Sequence, residues 1–232
     1  MIKVEHVETW GWEHAIRGMR NPLNSWNRSD SFFCGRDCKE CEYKPDYTVN
    51  TGCGIEWQPN YGDFVIGKND LTLMQNLARA GQPHRKYLRQ IFVSMDVTAP
   101  LYWWKEFDTY KVGTVANGCS TMHKIHSKEF TLEDFSCEHL SADVIENPFV
   151  TVIECLNFFR RLYLQDKNKG DWYTVIQLLP SSYNQKRTIT LNYENALNMI
   201  EYRANHKLDE WCEFTGTLKK LPYMTQISQG GE

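Results

Sequence analysis

The segment from residue 31 to residue 68 places the strongest constraint on how this chain can fold. Seven glycines and prolines interrupt it: Gly35, Pro45, Gly52, Gly54, Pro59, Gly62 and Gly67. These residues set turns and break regular elements, so the segment has no room for a long helix or strand. The pattern predicts an irregular insertion, and the core must be built from the chain on either side of it.

The same segment holds four of the eight cysteines, Cys34, Cys38, Cys41 and Cys53. Four thiolates in one small loop suit a tetrahedral zinc ion, which would also order a polar segment. An iron–sulfur cluster and unligated thiols are the two alternatives, and the spacing alone leaves all three open. The other cysteines are scattered, and each is expected to be a small buried apolar residue: Cys119, Cys137, Cys155 and Cys212.

The length of 232 residues suffices for a single domain over 1–232, with 31–68 as its insertion and 213–232 as a C-terminal tail. Hydrophobic residues make up 41% of the chain and charged residues 24%, which is typical of a globular protein. The net charge of −3 excludes the strongly basic field that bulk nucleic-acid binding requires. Because no apolar run approaches about 20 residues and the N-terminus lacks an apolar stretch, we expect a cytoplasmic protein without a membrane partner.

Hydrophobic periodicity outside the insertion predicts more helices than strands. The alternating segment Ile91–Val97 predicts a strand, whereas residues 108–123 show no periodicity and are expected to form a loop. The predicted helices lie near Trp12–Met19, from an N-cap at Asn69 or Asp70 to Gly81, from Pro83 to Leu88, over Tyr102–Phe107, over 149–165, around Trp172–Leu179, and from an N-cap at Asn192 to Trp211. Thr131 and Asp134 resemble a capping box. The predicted class is α+β, with one sheet covered by helices.

Trp103 and Trp104 are the densest point of a sequence in which aromatic residues make up 13%. Large rings dominate protein cores and subunit interfaces, and either location accounts for this pair. A stacking surface for a flavin or a nucleobase is the alternative.

The stretch from Leu179 to Trp211 resembles the C-terminal part of the flavin-dependent thymidylate synthases. Those enzymes carry Leu-Pro, an extended stretch that closes on Thr-x-Asn, and a helix with Asn and Arg. Here the corresponding residues are Leu179-Pro180, Thr190-Leu191-Asn192, Asn198 and Arg203, at the spacing of the family.

Further upstream the resemblance is looser. Asp70–Val93 resembles the segment before the family's active-site motif, and Tyr110–His123 falls where that motif lies. Matching by spacing retains Asn117 and Ser120, which would form an anion-binding turn or, alternatively, an ordinary loop. The family's Arg-His-Arg is Tyr110-Lys111-Val112 here, and two further arginines are replaced by Met122 and Ile176.

The resemblance implies a mixed helical and antiparallel-sheet domain that forms a homotetramer with active sites between subunits. It implies binding of FAD and dUMP, with methylenetetrahydrofolate and NADPH as co-substrates. By position, Asn192 and Asn198 would contact the flavin and Arg203 and Ser120 would be catalytic. Lys111 and Asn117 would join Arg203 and Ser120 in binding the nucleotide.

Two classes of function follow from the resemblance. The first is a flavin-dependent enzyme that transfers a methyl or hydroxymethyl group reductively to C5 of a dUMP-like pyrimidine nucleotide. The second is a non-catalytic protein that binds or sequesters a nucleotide on the same scaffold, which the lost arginines favour because Met and Ile cannot replace a guanidinium fork. A zinc-stapled interaction module rests on the cysteines alone.

Overall fold

The computed structural model describes residues 2–34, 49–50, 56–57 and 62–229. The strands are β1 (Lys3–Trp10), β2 (Phe32–Phe33), β3 (Val49–Asn50), β4 (Glu56–Trp57), β5 (Phe64–Val65), β6 (Phe92–Pro100), β7 (Thr114–Gly118) and β8 (Asn184–Asn192). The helices are α1 (Trp12–Arg20), α2 (Lys68–Arg79), α3 (Leu101–Phe107), α4 (Ala142–Val144), α5 (Val150–Asp166), α6 (Lys169–Leu178), α7 (Tyr193–Arg203), α8 (Asp209–Lys219) and α9 (Met224–Gln229). The described residues also include short 3-10 turns at Asn21–Leu23, Trp26–Arg28, Arg85–Gln90 and Leu132–Asp134 and a π-helical turn at Ile145–Phe149.

Four antiparallel strands in the order β1-β6-β8-β7 form the main sheet. The central pair β6 and β8 is in continuous register from Phe92 opposite Asn192 to Pro100 opposite Asn184. Alternation along β6 buries Val93, Met95, Val97 and Ala99 on the face that the helices cover. The α+β class and the strand predicted at Ile91–Val97 are therefore confirmed.

Residues 108–123 are not the continuous loop that their lack of periodicity predicts. Their middle forms β7, which pairs with β8 and closes one edge of the sheet. Most side chains of β7 are exposed, including Val115. A short edge strand buries little apolar surface, so it leaves no alternating signal in the sequence.

Trp103 and Trp104 are both buried in the core, so the interpretation as a ligand-stacking surface is wrong for these two rings. Trp103 lies 5.2 Å from Phe107 and 4.9 Å from Trp211, measured between ring centroids. The Trp104 indole N–H donates to the Gln185 carbonyl at 2.9 Å. The ring cluster thus fixes α3 between the sheet and α8.

The helix predicted from Asn192 to Trp211 is two helices, α7 and α8, separated by a turn at residues 204–208. The turn is stabilised by hydrogen bonds from the His206 amide to the Arg203 carbonyl and from the Leu208 amide to His206 Nδ1.

Residues 213–229 are helical and packed, and do not form the C-terminal tail that the sequence predicts. They form most of α8 and all of α9 and bury a run of side chains in the core: Phe214, Leu218, Leu221, Tyr223, Met224 and Ile227.

A second, smaller apolar cluster lies between α5, α6 and the segment from Ile125 to Phe135. The predicted capping box of Thr131 and Asp134 is confirmed, on a 3-10 turn. Cys155 faces solvent on α5 and Cys119 is also exposed, so the expectation that the scattered cysteines are buried is wrong for both. Helix α5 buries Ile153, Leu156 and Asn157 instead.

The two ends of the predicted insertion meet where β2 pairs with β5. Cys34 lies at this junction, where its amide donates to the Asp63 carbonyl at 2.8 Å and its carbonyl accepts from the Gly62 amide at 3.0 Å. Cys38, Cys41 and Cys53 lie outside the described residues, so the predicted metal site stays a prediction.

The position of Asp70 near the start of α2 predicts a helix cap. In the structure Asp70 instead forms a buried ion pair with Arg20. Asp30 performs the capping, since its carboxylate accepts from the amides of Asn69 at 2.8 Å and Asp70 at 3.1 Å. Asp70 is fully buried, with Oδ1 2.6 Å from Arg20 Nε and Oδ2 accepting from the Ser31 hydroxyl at 2.7 Å. This pair joins α1 to α2 and holds the intervening chain.

Replacing Asp70 with asparagine is expected to lower the free energy of unfolding by about 3–5 kcal/mol at neutral pH, because Arg20 is left as an uncompensated buried charge. Burial raises the pKa of Asp70, but hydrogen bonds from Ser31, Ser29 and Arg20 outweigh burial and hold the pKa below its ordinary value.

A lowered pKa contributes stability above the pKa of the unfolded aspartate, and that stability is lost as the pH falls through the folded pKa. Urea unfolding should therefore show that the difference in free energy of unfolding between the wild type and Asp70→Asn becomes smaller below about pH 4. A difference that is independent of pH would contradict this role of the Asp70 charge.

Candidate functional site

Helix α7 positions three of the residues that the family resemblance selects. Asn192 ends β8 and begins α7, and its Oδ1 accepts from the Asn195 amide at 2.9 Å. This confirms the N-cap that the sequence predicts. The β6–β8 register holds Asn192 opposite Phe92, so the first turn of α7 has a fixed place at the end of the sheet.

The loop that carries Lys111 lies against the first turn of α7. Asn195 Nδ2 donates to the Val112 carbonyl at 2.8 Å, and the Thr114 hydroxyl bonds the Tyr110 carbonyl. Gly113 has φ +76°, and a Cβ there would lie 2.6 Å from Asn192 Nδ2. Close approach and positive φ both require glycine at this position. Lys111 is consequently presented to solvent beside the Asn192 cap.

Arg203, at the other end of α7, is held by three groups. Its Nε donates to the Tyr110 hydroxyl at 3.1 Å, and its Nη1 donates to Glu106 Oε2 at 3.0 Å. The guanidinium also lies 5.1 Å from the centroid of the Trp211 ring. Arg203 Nη2 makes no hydrogen bond with any residue that the structure describes, and the side chain is 24% exposed. The guanidinium is therefore oriented, with one edge available.

Glu106 organises this end of the helix. Its Oε2 also accepts from the Trp211 indole N–H at 3.1 Å and lies 3.3 Å from His206 Nε2. Because Lys111 follows Tyr110 directly, the Glu106–Arg203–Tyr110 contacts place Lys111 and Arg203 on the same side of the domain. The structure thus brings Asn192, Lys111 and Arg203 to one face, which we call the α7 face.

Asn198 is directed elsewhere. It lies five positions before Arg203, which corresponds to roughly 140° around a helix with 3.6 residues per turn. Its Oδ1 accepts from Arg85 Nη2 at 2.9 Å. Glu194, one turn earlier, bonds both Arg85 and Arg89. The positive charges of Arg85 and Arg89 are therefore partly neutralised by Glu194 of α7.

Asn117 and Ser120 lie toward the end of β7 that is away from Asn192. The strand β7 begins beside Asn192 and advances about 14 Å by its last residue, Gly118, at about 3.4 Å per residue. Asn117 lies opposite Thr188, and Ser120 follows the end of the strand. The Ser120 hydroxyl oxygen accepts from the amides of Met122 at 3.2 Å and His123 at 2.9 Å. Those amides are thus bonded within an ordinary serine turn.

Met122 and Ile176, at positions where the family has arginines, both lie at α6. Met122 is exposed in the turn after Ser120, and its carbonyl accepts from the Trp172 indole N–H at 3.1 Å. Ile176 packs on the smaller apolar cluster. Lys111, at the opposite end of β7, is placed to supply a charge at the α7 face but not beside Met122.

Sequence reasoning missed Glu106, Tyr110 and Arg187. Arg187 lies 4.3 Å over the Trp104 ring and donates to Asp108 at 2.7 Å. A signal for Arg187 exists in the sequence, since it shares the period-two face of Ile189 and Leu191 and must point toward the core. The partners of Glu106 and Tyr110 lie about a hundred residues away, and no local pattern indicates them.

The described ranges contain no group of three or more histidine, cysteine or acidic side chains arranged to hold a metal ion. No helix within them is long and apolar enough to cross a membrane.

Comparison with solved structures identifies the fold. The chain is similar to thymidylate synthase X (ThyX) from Helicobacter pylori, solved with FAD and dUMP, with a TM-score of 0.63 and 14% identity over 98% of this chain and 97% of that one. A second structure of the flavin-dependent thymidylate synthase ThyX from the same organism, also complexed with FAD and dUMP, gives a TM-score of 0.64 and 14% identity over 99% and 100%. No protein-family model and no curated protein matches the chain.

At this identity the likeness establishes the fold, which is that of the flavin-dependent thymidylate synthases along nearly the whole chain. The fold that the resemblance at residues 179–211 implies is thereby confirmed.

The cysteine cluster gives a separate prediction. If Cys34, Cys38, Cys41 and Cys53 ligate one metal, elemental analysis should find about one zinc ion or one iron–sulfur cluster per chain. Cys41→Ser should lose the metal and make residues 31–60 sensitive to protease, whereas the exposed Cys155→Ser should do neither. A metal-free protein purified under reducing conditions, with that segment equally protected, would reject the site.

Proposed function

We propose that this protein binds a dUMP-like pyrimidine deoxynucleotide at the α7 face and FAD along α7 from Asn192 to Asn198, in sites completed by a second copy of the chain. The proposal is carried by the near full-length likeness to structures that hold FAD and dUMP, combined with the side chains that the fold gathers on α7. FAD and dUMP are bound in those two structures, and the proposal for this chain depends on whether its own side chains can hold them.

The nucleotide phosphate needs cationic donors, and Arg203 and Lys111 provide them. Arg203 is fixed by Glu106 and Tyr110, so its remaining Nη2 edge is oriented before any ligand binds. Lys111 adds an exposed ammonium from the adjacent loop. An oriented guanidinium loses less side-chain entropy on binding an anion than a free one does.

A flavin fits the amides of the same helix. Amide groups hydrogen-bond the uncharged polar edges of a ring system, and the Asn192 Nδ2 and Asn198 Nδ2 groups serve as such donors while their oxygens are held by Asn195 and Arg85. Arg85 and Arg89 would lie toward the pyrophosphate, with Glu194 fixing their orientation. When bound, the flavin supplies the redox chemistry, and the protein supplies orientation and electrostatics.

Ser120 and Asn117 enter the proposal only through a second copy. They lie toward the end of β7 that is away from Asn192, and by resemblance they would join Arg203 and Lys111 of a neighbouring copy, so the site would be shared between subunits. A homo-oligomer, and by resemblance a tetramer, is therefore part of the proposal.

With FAD, NADPH and methylenetetrahydrofolate, such a site would support reductive transfer of a one-carbon unit to C5 of the pyrimidine. A non-catalytic nucleotide-binding or sequestering role is the second candidate. One observation favours it: the cations nearest the site are already paired, Arg203 with Glu106 and Arg85 and Arg89 with Glu194, while Met122 and Ile176 supply no charge.

Arg203→Gln should weaken dUMP binding by about 1.5–3 kcal/mol, or roughly tenfold to a hundredfold in Kd, because one charged hydrogen-bonding group is lost. Arg203→Lys should retain part of the affinity, since the charge remains without the fork. The matched control is Arg161→Gln, which removes an exposed arginine on α5. If calorimetric titration gives the same Kd for dUMP with the wild type and Arg203→Gln, Arg203 does not bind the nucleotide.

We expect the protein to bind flavin without efficient turnover. After reconstitution with FAD, NADPH, methylenetetrahydrofolate and dUMP, we expect flavin binding that Asn192→Ala and Asn198→Ala weaken, and dTMP formation that is slow or absent, because the lost guanidiniums cannot be replaced by Met and Ile. Efficient dTMP formation would contradict the loss of synthase chemistry. Failure to bind FAD at any accessible concentration would contradict the flavin site and leave the sequestering role.

A further inference from the structure

An open cavity of about 740 Å³ lies between α2 and the two 3-10 turns that follow α1. It shares no residue with the α7 face. Its lining includes two arginines, Arg20 and Arg28, and four asparagines, Asn24, Asn27, Asn69 and Asn76.

Arg20 is the most constrained group in the wall of this cavity. Its side chain is only 4% exposed, with Nε held by Asp70 at 2.6 Å and Nη1 donating to the Ser25 carbonyl at 3.2 Å. Nη2 has no hydrogen-bond acceptor among the described residues. The guanidinium therefore has a donor edge that no described residue uses, and an oxyanion in the cavity would accept from it.

The acidic groups nearby are already occupied. The Asp70 carboxylate accepts from Arg20, Ser29 and Ser31, and Asp30 accepts from the first amides of α2. Arg28, at the rim, makes no ion pair within the part of the chain that the structure describes. The cavity therefore offers cationic donors at one side without a competing free carboxylate.

The asparagines supply neutral hydrogen-bonding groups around the remainder. Arg79 Nη2 donates to Asn76 Oδ1 at 2.5 Å, which leaves the Asn76 amide N–H groups as donors. Side-chain amides carry both donors and acceptors, which is the combination that ligand hydroxyl groups require.

We propose that this cavity binds a small phosphorylated polyhydroxy metabolite, with the phosphoryl group on Arg20 Nη2 and Arg28 and the hydroxyls on the asparagine amides. Two guanidiniums can donate to the oxygens of a phosphate monoester, with Arg28 supplying the net charge because Arg20 is paired with Asp70, and the volume exceeds what a bare anion occupies. This inference is independent of the proposed flavin and nucleotide site.

The test is calorimetric titration of the full chain with ribose 5-phosphate, glucose 6-phosphate and glycerol 3-phosphate, with ribose and inorganic phosphate as separate arms. At least one phosphorylated compound should bind more tightly than either separate arm. Arg28→Gln should raise its Kd about tenfold or more, because an exposed arginine is removed without disturbing the Arg20–Asp70 pair.

Arg161→Gln is again the matched control and should leave the Kd unchanged. Side-chain amide resonances of Asn27 and Asn76 should shift on titration. The proposal is overturned if none of the three phosphorylated compounds binds with a Kd below about 1 mM, or if Arg28→Gln binds as the wild type does.

Discussion

The antiparallel pairing of β6 with β8 is the interaction on which the rest of the structure depends. Its register sets Asn192 at one end of the sheet and Pro100 at the other, and each strand then continues directly into a helix, α7 or α3. Helix α3 returns over the buried face, so Glu106 reaches Arg203 at the end of α7. A slip of one residue would exchange the two faces of the strand and separate these partners.

Paired charges govern what the surroundings of helix α7 can bind. Glu106 orients Arg203, and Glu194 orients Arg85 and Arg89, so guanidinium positions are fixed before a ligand arrives. The same pairing reduces the net positive charge available to an anionic nucleotide. In the proposed sites, oriented donors are thus combined with a reduced net positive charge, and this combination is the physical reason to expect FAD and nucleotide binding without efficient catalysis.

The sequence predicted the elements whose signal is local. The strand near Ile91–Val97, the Asn192 cap and the Thr131–Asp134 box were all readable because alternation and capping act within a few residues. The edge strand β7 and the break between α7 and α8 depend on long-range pairing and packing, which leave no periodic trace. The contacts of Arg203 with Glu106 and Tyr110 could not be predicted for the same reason. The spacing of Asn198 also did not indicate that its side chain contacts Arg85.

A crystal structure of the protein with FAD and dUMP tests the central claim most directly. The account predicts that the flavin ring contacts Asn192 and Asn198, and that the nucleotide phosphate is bound by Arg203 and Lys111 of one copy together with Ser120 of a second copy. A nucleotide bound away from α7, or one held entirely within a single copy without Arg203, would contradict it.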